Sequence, residues 1–438
     1  MQRQEGPKAH AEAAFQAALT AADPGPGVAR WLGEHPRAAR PTGKLAVVAL
    51  GKAACAMAAG ALSARDPEMA DVLVVTKDGH GVDCPPGVGE LRESGHPHPD
   101  QRSLAAGEAI LSRARALGPE DELLLLVSGG ASALADSLPS DLSAADWMAT
   151  HAALVGSGLP IQAVNAVRKH ISGFKGGQLA RTAAPARVTA LLLSDVVGDD
   201  PAVIGSGPAA PDLSTFAEAR AITQGVPGLP EAVGRLLVQG ERGDLPETPK
   251  PGELTNAANS VVANNRLALE AAASALAQRG YSSLILTSRL QGEAGEVARA
   301  VAAVGLEAAA SGRPAPPPVA LLWGGETTVA LGPEPGEGGR NQELALAMAA
   351  DLAGVDGLGA LCAGTDGTDG PTDAAGAWVD GGTWQRAEAV GGGVRQALVS
   401  HDSGALFRRL GDRLVTGPTG TNVMDLVVML AEGDRRRV

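Results

Sequence analysis

Residues 121–130 read Asp-Glu-Leu-Leu-Leu-Leu-Val-Ser-Gly-Gly and run on into Ala-Ser-Ala-Leu-Ala. The apolar run 123–127 has strand length and no polar alternation, which predicts a strand buried on both faces of a sheet. Ser128-Gly129-Gly130 stops it, and a small-residue helix is expected to start at once. A strand that ends in glycines and feeds a helix builds an anion site. The glycines let backbone N–H groups come close, and the helix dipole favours negative charge. The same punctuation recurs along the chain, so a small anionic ligand is the first expectation.

Strands are predicted at 45–50, 72–76, 123–127 and 188–194, and helices at 9–21, 53–64, 103–117 and 144–157. That alternation is the signature of an α/β fold with a parallel sheet, in which ligands sit beyond the carboxyl ends of the strands. The Pro/Gly/Arg-rich stretch 24–41 is expected to be irregular. At 438 residues the chain exceeds one compact core, so two domains are expected. Pro246, Pro249 and Pro251 mark the boundary, giving domains 1–245 and 246–438. The second half offers helices at 260–279 and 292–310. Its strands are predicted at 283–287, 359–363 and 425–430, and at 319–323 and 327–331 around a Gly324-Gly325 turn, in a mixed sheet.

Aromatic residues are 2% of the chain, so the cores must be built from Ala, Val and Leu. A net charge of −13 argues against nucleic acid or an anionic membrane as the main partner. Cys55, Cys84 and Cys362 show no CxxC spacing; neither a disulfide framework nor a zinc site is expected, and a reducing cytoplasm fits. The N-terminal stretch has no apolar signal region, and no run is long enough for a membrane span.

Candidate site residues cluster at the predicted strand ends. Lys52 follows 45–50 at a strand-to-helix junction, where it would reach a bound phosphate, and Lys77 follows 72–76. His96 and His98 are read as a rigid His-Pro turn rather than a metal site. Asn165, Arg168 and Lys169 open a basic, glycine-punctuated segment suited to a phosphate or carboxylate. Asp195 ends 188–194, where an acid serves a hydroxyl as base or a metal as ligand. The stretch Gly205-Ser206-Gly207-Pro208 is read as a turn, not a dinucleotide fingerprint. Gly325, Glu326, Arg340 and Asn341 surround two glycine-rich turns. Asp366, Asp369 and Asp373 lie among glycines and threonines, where Mg²⁺ held with a nucleotide suits better than calcium. Neither a P-loop nor a protein-kinase motif set is present. The residues by themselves define a two-domain α/β enzyme acting on small anions.

The ordered set Gly51-Lys52-Ala53, Thr76-Lys77-Asp78-Gly79, Glu93-Ser94-Gly95-His96-Pro97, Ser128-Gly129-Gly130-Ala131-Ser132, Asn165 to Lys169, Ser194-Asp195-Val196, Gly324-Gly325-Glu326-Thr327, Gly339-Arg340-Asn341-Gln342-Glu343 and Gly364-Thr365-Asp366-Gly367-Thr368-Asp369-Gly370 resembles the glycerate 2-kinase family with its MOFRL C-terminal domain. The resemblance runs from about Ala11 to about Leu430. It implies ATP- and Mg²⁺-dependent phosphorylation of D-glycerate to 2-phosphoglycerate, with a Rossmann-like N-terminal domain, a second α/β domain and the site in the cleft between them. No nucleic acid or membrane partner is implied, and a homodimer is compatible. Lys52, Asp195 and Arg340 take the catalytic roles. Ser128, Gly129, Gly130, Ser132, Asn165, Arg168 and Lys169 take the substrate. Lys77, Gly325, Glu326, Asn341 and Asp366 take the nucleotide, and Asp195, Asp366 and Asp369 take the metal. The alternative is an NAD(P)H-dependent hydroxypyruvate reductase, which the lack of a G-x-G-x-x-G with a ribose-binding acid opposes.

Overall fold

The structure, a computed structural model, describes residues 6–65 and 70–432. Residues 1–5, part of the stretch read as free of an export signal, lie outside them. The chain divides into two compact units, one of residues 24–262 and one of residues 1–23 with 263–438.

In the first unit the strands are β1 (Leu45–Leu50), β2 (Ala70–Lys77), β3 (Glu90–Ser94), β4 (Glu122–Val127), β5 (Arg187–Leu193) and β6 (Ala257–Ala263). Their spatial order is β3-β2-β1-β4-β5-β6. β1 pairs in parallel with β2 and β4, β2 with β3, and β4 with β5. This is the doubly wound order, and the chain reverses direction across the sheet between β1 and β4. Both strands are buried along their whole length, as continuous Leu/Val/Ala runs require. Helices Ala54–Ala64, Gln101–Arg115 and Gln178–Ala183 accompany the sheet.

The second unit holds β7 (Ser282–Glu293), β8 (Val319–Thr328), β9 (Leu358–Gly364), β10 (Gly376–Asp380), β11 (Arg413–Leu414) and β12 (Asp425–Ala431), in the order β11-β10-β9-β12-β8-β7. β7 and β8 are parallel, while β12 runs antiparallel to both β8 and β9, so this sheet is mixed. Its core joins Val319, Leu321, Leu344, Met348, Leu358, Val427 and Met429. The helix Pro7–Ala21 belongs here, packed on the helix Asn265–Ala277 and on β9 and β12.

Three expectations are corrected. The stretch 24–41 contains a helix, Pro24–Glu34, because both of its prolines fall in the first turn, where the missing N–H groups have no partner to lose. The Gly324-Gly325 pair is not a hairpin turn: β8 passes straight through it. The missing side chains make room there, since a Cβ at Gly324 would lie 1.8 Å from Asn265 Oδ1 and one at Gly325 2.2 Å from Leu290 O. The compact units change over at Val262/Ala263, beyond the proline-marked boundary at 245/246, because β6 extends the first sheet beside β5.

Gly60 shows how close the helices of the first unit pack. A Cβ there would lie 2.1 Å from Gly25 O, on the helix Pro24–Glu34. Helix propensity alone favours alanine over glycine by about 1 kcal/mol. The clash is with backbone and reverses the sign. Gly60→Ala is expected to lower stability by about 1–3 kcal/mol, read as a lower urea midpoint.

Candidate active site

At the reversal point of the first sheet the ends of β1 and β4 are stitched together. Lys52 N donates to Gly129 O at 2.9 Å, and Ala53 N donates to Ser128 Oγ at 3.0 Å. Gly51 permits this approach with φ of 130°; a Cβ there would lie 2.2 Å from Ser128 Oγ. The 128–130 turn is bare on its outer side and side chains crowd over it. A Cβ on Gly129 would lie 2.1 Å from Asp195 Oδ2, and one on Gly130 would lie 3.2 Å from His96 Nε2 and 3.3 Å from Lys52 Cγ. Lys52, His96 and Asp195, from the ends of β1, β3 and β5, therefore converge on one backbone turn.

The charges there are shaped by burial. Burial pushes the Asp195 carboxyl above its usual range, opposed by its own backbone N–H and by Lys52. Among the described residues Asp195 makes no salt bridge. Burial, together with Lys52, Lys77, His80 and His98, lowers His96 to about 4, so its imidazole is neutral at pH 7. His96 was set aside in the sequence as part of a rigid turn. Nothing local in His-Pro-His-Pro reveals that β3 delivers it to the 128–130 turn.

The helix after that turn is the single turn Ala131–Leu134. Its dipole is small, so the positive potential comes from Lys52 and Lys77 instead. A disulfide, Cys55–Cys84, ties the helix after Lys52 to the 3₁₀ turn Gly81–Asp83 that follows Lys77. This corrects the expectation of unpaired cysteines. The two lie 29 residues apart and are brought together by β2 running beside β1, which spacing along the chain does not show.

The basic segment after Asn165 is largely neutralised. Lys169 is buried against Asp212 at 3.1 Å, Lys175 is buried against Asp136, and His170 meets Glu247 at 2.9 Å. Lys169 thus serves the fold and is not offered to a ligand. Arg168 is partly buried, and its Nε has no hydrogen-bond partner among the described residues. Asn165 is buried and accepts from Ser206 Oγ at 3.4 Å; Ser206 in turn meets Ser132 Oγ at 2.8 Å. Gly205-Ser206-Gly207 forms a buried left-handed turn, as expected, and opens no helix.

In the second unit Arg340 begins the helix Arg340–Leu352. Its Nε and Nη2 grip Asp425 at 2.6 and 2.9 Å, and Nη1 lies 3.0 Å from Glu326. Burial opposes its charge, but Asp425 and Glu326 outweigh that and hold the guanidinium firmly protonated. Three of its five N–H groups are engaged and two remain for a ligand. A cavity of about 350 Å³ opens beside it, lined by Glu326, Thr327, Gly339, Glu343 and His401 among others.

Asp369 is corrected from metal ligand to helix cap. Its Oδ1 accepts from Asn341 N and Nδ2, and its Oδ2 from Gln342 N and Nε2, at 2.8–3.3 Å. Two donors on each oxygen leave no lone pair for a cation. Asn341 is buried in the same network through its Nδ2, while its Oδ1 has no hydrogen-bond partner among the described residues. Gly325 is likewise buried inside β8. Asp366 accepts from Thr368 N at 3.0 Å, an Asx turn. No group of three metal-binding side chains exists among the described residues. Mg²⁺ in kinases, however, takes one or two carboxylates and otherwise phosphates and water. Asp195, with no salt bridge, fits that need.

A larger cavity, about 540 Å³, opens at the other end of β1 and β4 between Arg37, Arg40, Glu120, Asp121 and Arg187. None of the predicted site residues lines it, and it lies at the end of the strands opposite the 128–130 turn.

Comparison with known proteins agrees with this architecture. A family model described as a domain of unknown function matches residues 10–237, and the MOFRL family model matches residues 319–425. The chain is 40% identical to a glycerate 2-kinase of Pyrococcus horikoshii over 90% of its length and 89% of the relative's. It is 40% identical to a D-glycerate 2-kinase of Thermotoga maritima over 88% and 90%. A relative in Agrobacterium vitis, provisionally named a hydroxypyruvate reductase, is 43% identical over 95% and 92%. The crystal structure of the Thermotoga maritima glycerate kinase superposes with a TM-score of 0.88 at 38% identity, covering 97% of this chain and 99% of that one. The chain belongs to the MOFRL-domain glycerate 2-kinase family. No helix among the described residues is long and apolar enough to cross a membrane.

Two outcomes test the geometry. Asp369→Ala strips the acceptors from four buried donors and should cost about 2–4 kcal/mol in urea denaturation. His96 titrates near 6.5 when unfolded and about 4 when folded, so stability should fall as pH drops from 6.5 towards 4 and change no further below. His96→Gln should lose less stability than the unmodified protein between pH 7 and 4.5.

Proposed function

We propose that the protein is a glycerate 2-kinase that transfers the terminal phosphoryl group of ATP to the 2-hydroxyl of D-glycerate. The observation that carries this is the convergence of Lys52 and Asp195 on the 128–130 turn at the reversal point of the first sheet, in a chain of this family. Phosphoryl transfer asks little covalent chemistry of a protein; it needs charge placed on the phosphate and a hydroxyl held in line. The Lys52 ammonium faces the transferring oxygens. Asp195, its carboxyl raised by burial, takes the proton from the hydroxyl as the new O–P bond forms and the bond to ADP breaks. The turn's backbone N–H groups steady the acid's carboxylate or the phosphate, with Arg168 as its cationic neighbour. Mg²⁺ bound with ATP would neutralise phosphate charge; Asp195 could hold it instead of acting as the base, but one carboxylate does not serve both roles at once. Considered by itself, the second unit offers an anion-binding point of its own, in the remaining N–H groups of Arg340 and the cavity beside it.

Glycerate, ATP and Mg²⁺ supplied with enolase and no phosphoglycerate mutase should generate phosphoenolpyruvate, since enolase consumes the 2-phosphate and not its isomer. Lys52→Ala should lower kcat by about 10²–10⁴-fold with an unchanged melting temperature. Glycerate-dependent ADP release without enolase signal would move the phosphate to another hydroxyl. No ADP release at all would refute the kinase reading.

A further inference from the structure

Gly205, Ser206 and Gly207 hold φ of 58°, 61° and 64°. That region is free to glycine and costs a residue with a side chain about 1–2 kcal/mol. The flanking glycines show what suits the backbone, yet a serine stands between them, wholly buried. Its backbone role does not need a side chain: Ser206 O accepts from Gly176 N at 3.0 Å, a bond glycine would make as well. The side chain adds a hydroxyl placed 2.8 Å from Ser132 Oγ and donating to Asn165 Oδ1 at 3.4 Å.

A hydroxyl has one proton to give. Either serine can donate in the 2.8 Å bond between them; the arrangement that satisfies Asn165 Oδ1 as well has Ser206 donating to Asn165 and Ser132 donating to Ser206. Ser132 is then left with lone pairs only for anything beside it. It is partly exposed, two residues beyond the bare 128–130 turn. A group that only accepts is wrong for a carboxylate or phosphate and right for a hydroxyl, which revises the anion-holding role expected for Ser132.

We propose that Ser132 accepts a hydrogen bond from the substrate hydroxyl that is not phosphorylated, and that Ser206 is the positioning residue that holds Ser132 in that role. The assignment rests on the glycerate 2-kinase reading, under which the hydroxyl recognised is on C3. The pair makes the enzyme select a 2-hydroxy acid bearing a second hydroxyl over one with a methyl group in its place.

The test compares ADP release with D-glycerate and with D-lactate, which lacks the C3 hydroxyl, for the unmodified enzyme, Ser132→Ala, Ser206→Gly, Ser206→Ala and the Ser132→Ala/Ser206→Gly pair. The unmodified enzyme should favour glycerate in kcat/KM by about 10–100-fold, the worth of one neutral hydrogen bond with its desolvation. Each single variant should bring the two acids within about 3-fold, chiefly through a higher KM for glycerate. Ser206→Gly should have no added effect when Ser132 is already alanine. A merely structural Ser206 would instead lower the melting temperature and leave the glycerate-to-lactate ratio untouched. An unmoved ratio in both Ser206 variants, an additive double variant, or equal use of both acids by the unmodified enzyme overturns the proposal alone. No turnover of glycerate by the unmodified enzyme overturns the kinase reading, and this assignment with it.

Discussion

The hydrogen bonds from Lys52 N to Gly129 O and from Ala53 N to Ser128 Oγ set where everything else in the first unit can act. They bring the residues just beyond β1 and β4 into backbone contact, which needs Gly51 bare against Ser128, while the bare Gly129 leaves room for Asp195. Once the two strand ends are joined, the sheet's parallel register brings the ends of β3 and β5 to the same edge, and His96 and Asp195 arrive with them. The site is thus a consequence of strand order and glycine placement more than of any motif read in isolation.

Acidic and basic side chains divide by whether their hydrogen-bonding capacity is already used. Asp136, Asp212 and Asp369 are buried, and each is met by several donors. These groups stabilise turns and helix starts that would otherwise bury unpaired N–H groups. Asp195 differs: burial raises its carboxyl, Lys52 only partly offsets that, and among the described residues it makes no salt bridge. A buried acid left in that state is what a proton-accepting role requires.

Much of the architecture could be read from the sequence where the signal was continuous. β1 is an unbroken apolar run, β4 and β12 are apolar after their first residue, and the predicted spans match the folded ones to within a residue. β3, Glu-Leu-Arg-Glu-Ser, escaped notice because an edge strand pairs on one side and tolerates charge. β10, Gly-Ala-Trp-Val-Asp, is too short and glycine-led to stand out. At the site, the 128–130 turn, Lys52 and Asp195 were visible as strand-end chemistry. The capping role of Asp369, the buried pairing of Lys169, the disulfide and the approach of His96 were not. Each depends on a partner from elsewhere in the chain, and spacing along the sequence carries no record of such partners.

The helix Pro7–Ala21 belongs to the unit built from the far end of the chain. Its apolar face, with Ala11, Phe15 and Leu19, is covered by the helix Asn265–Ala277 and by β9 and β12. A ribosome adding roughly 10 residues per second releases this helix tens of seconds before its partners. Throughout that interval residues 24–262 have all their own strands and can settle, while the leading helix stays uncovered. Biosynthesis therefore closes the second unit after the first, by joining a segment made before residues 24–262 to segments made after them. Any factor that shields a nascent apolar helix would have its longest task here.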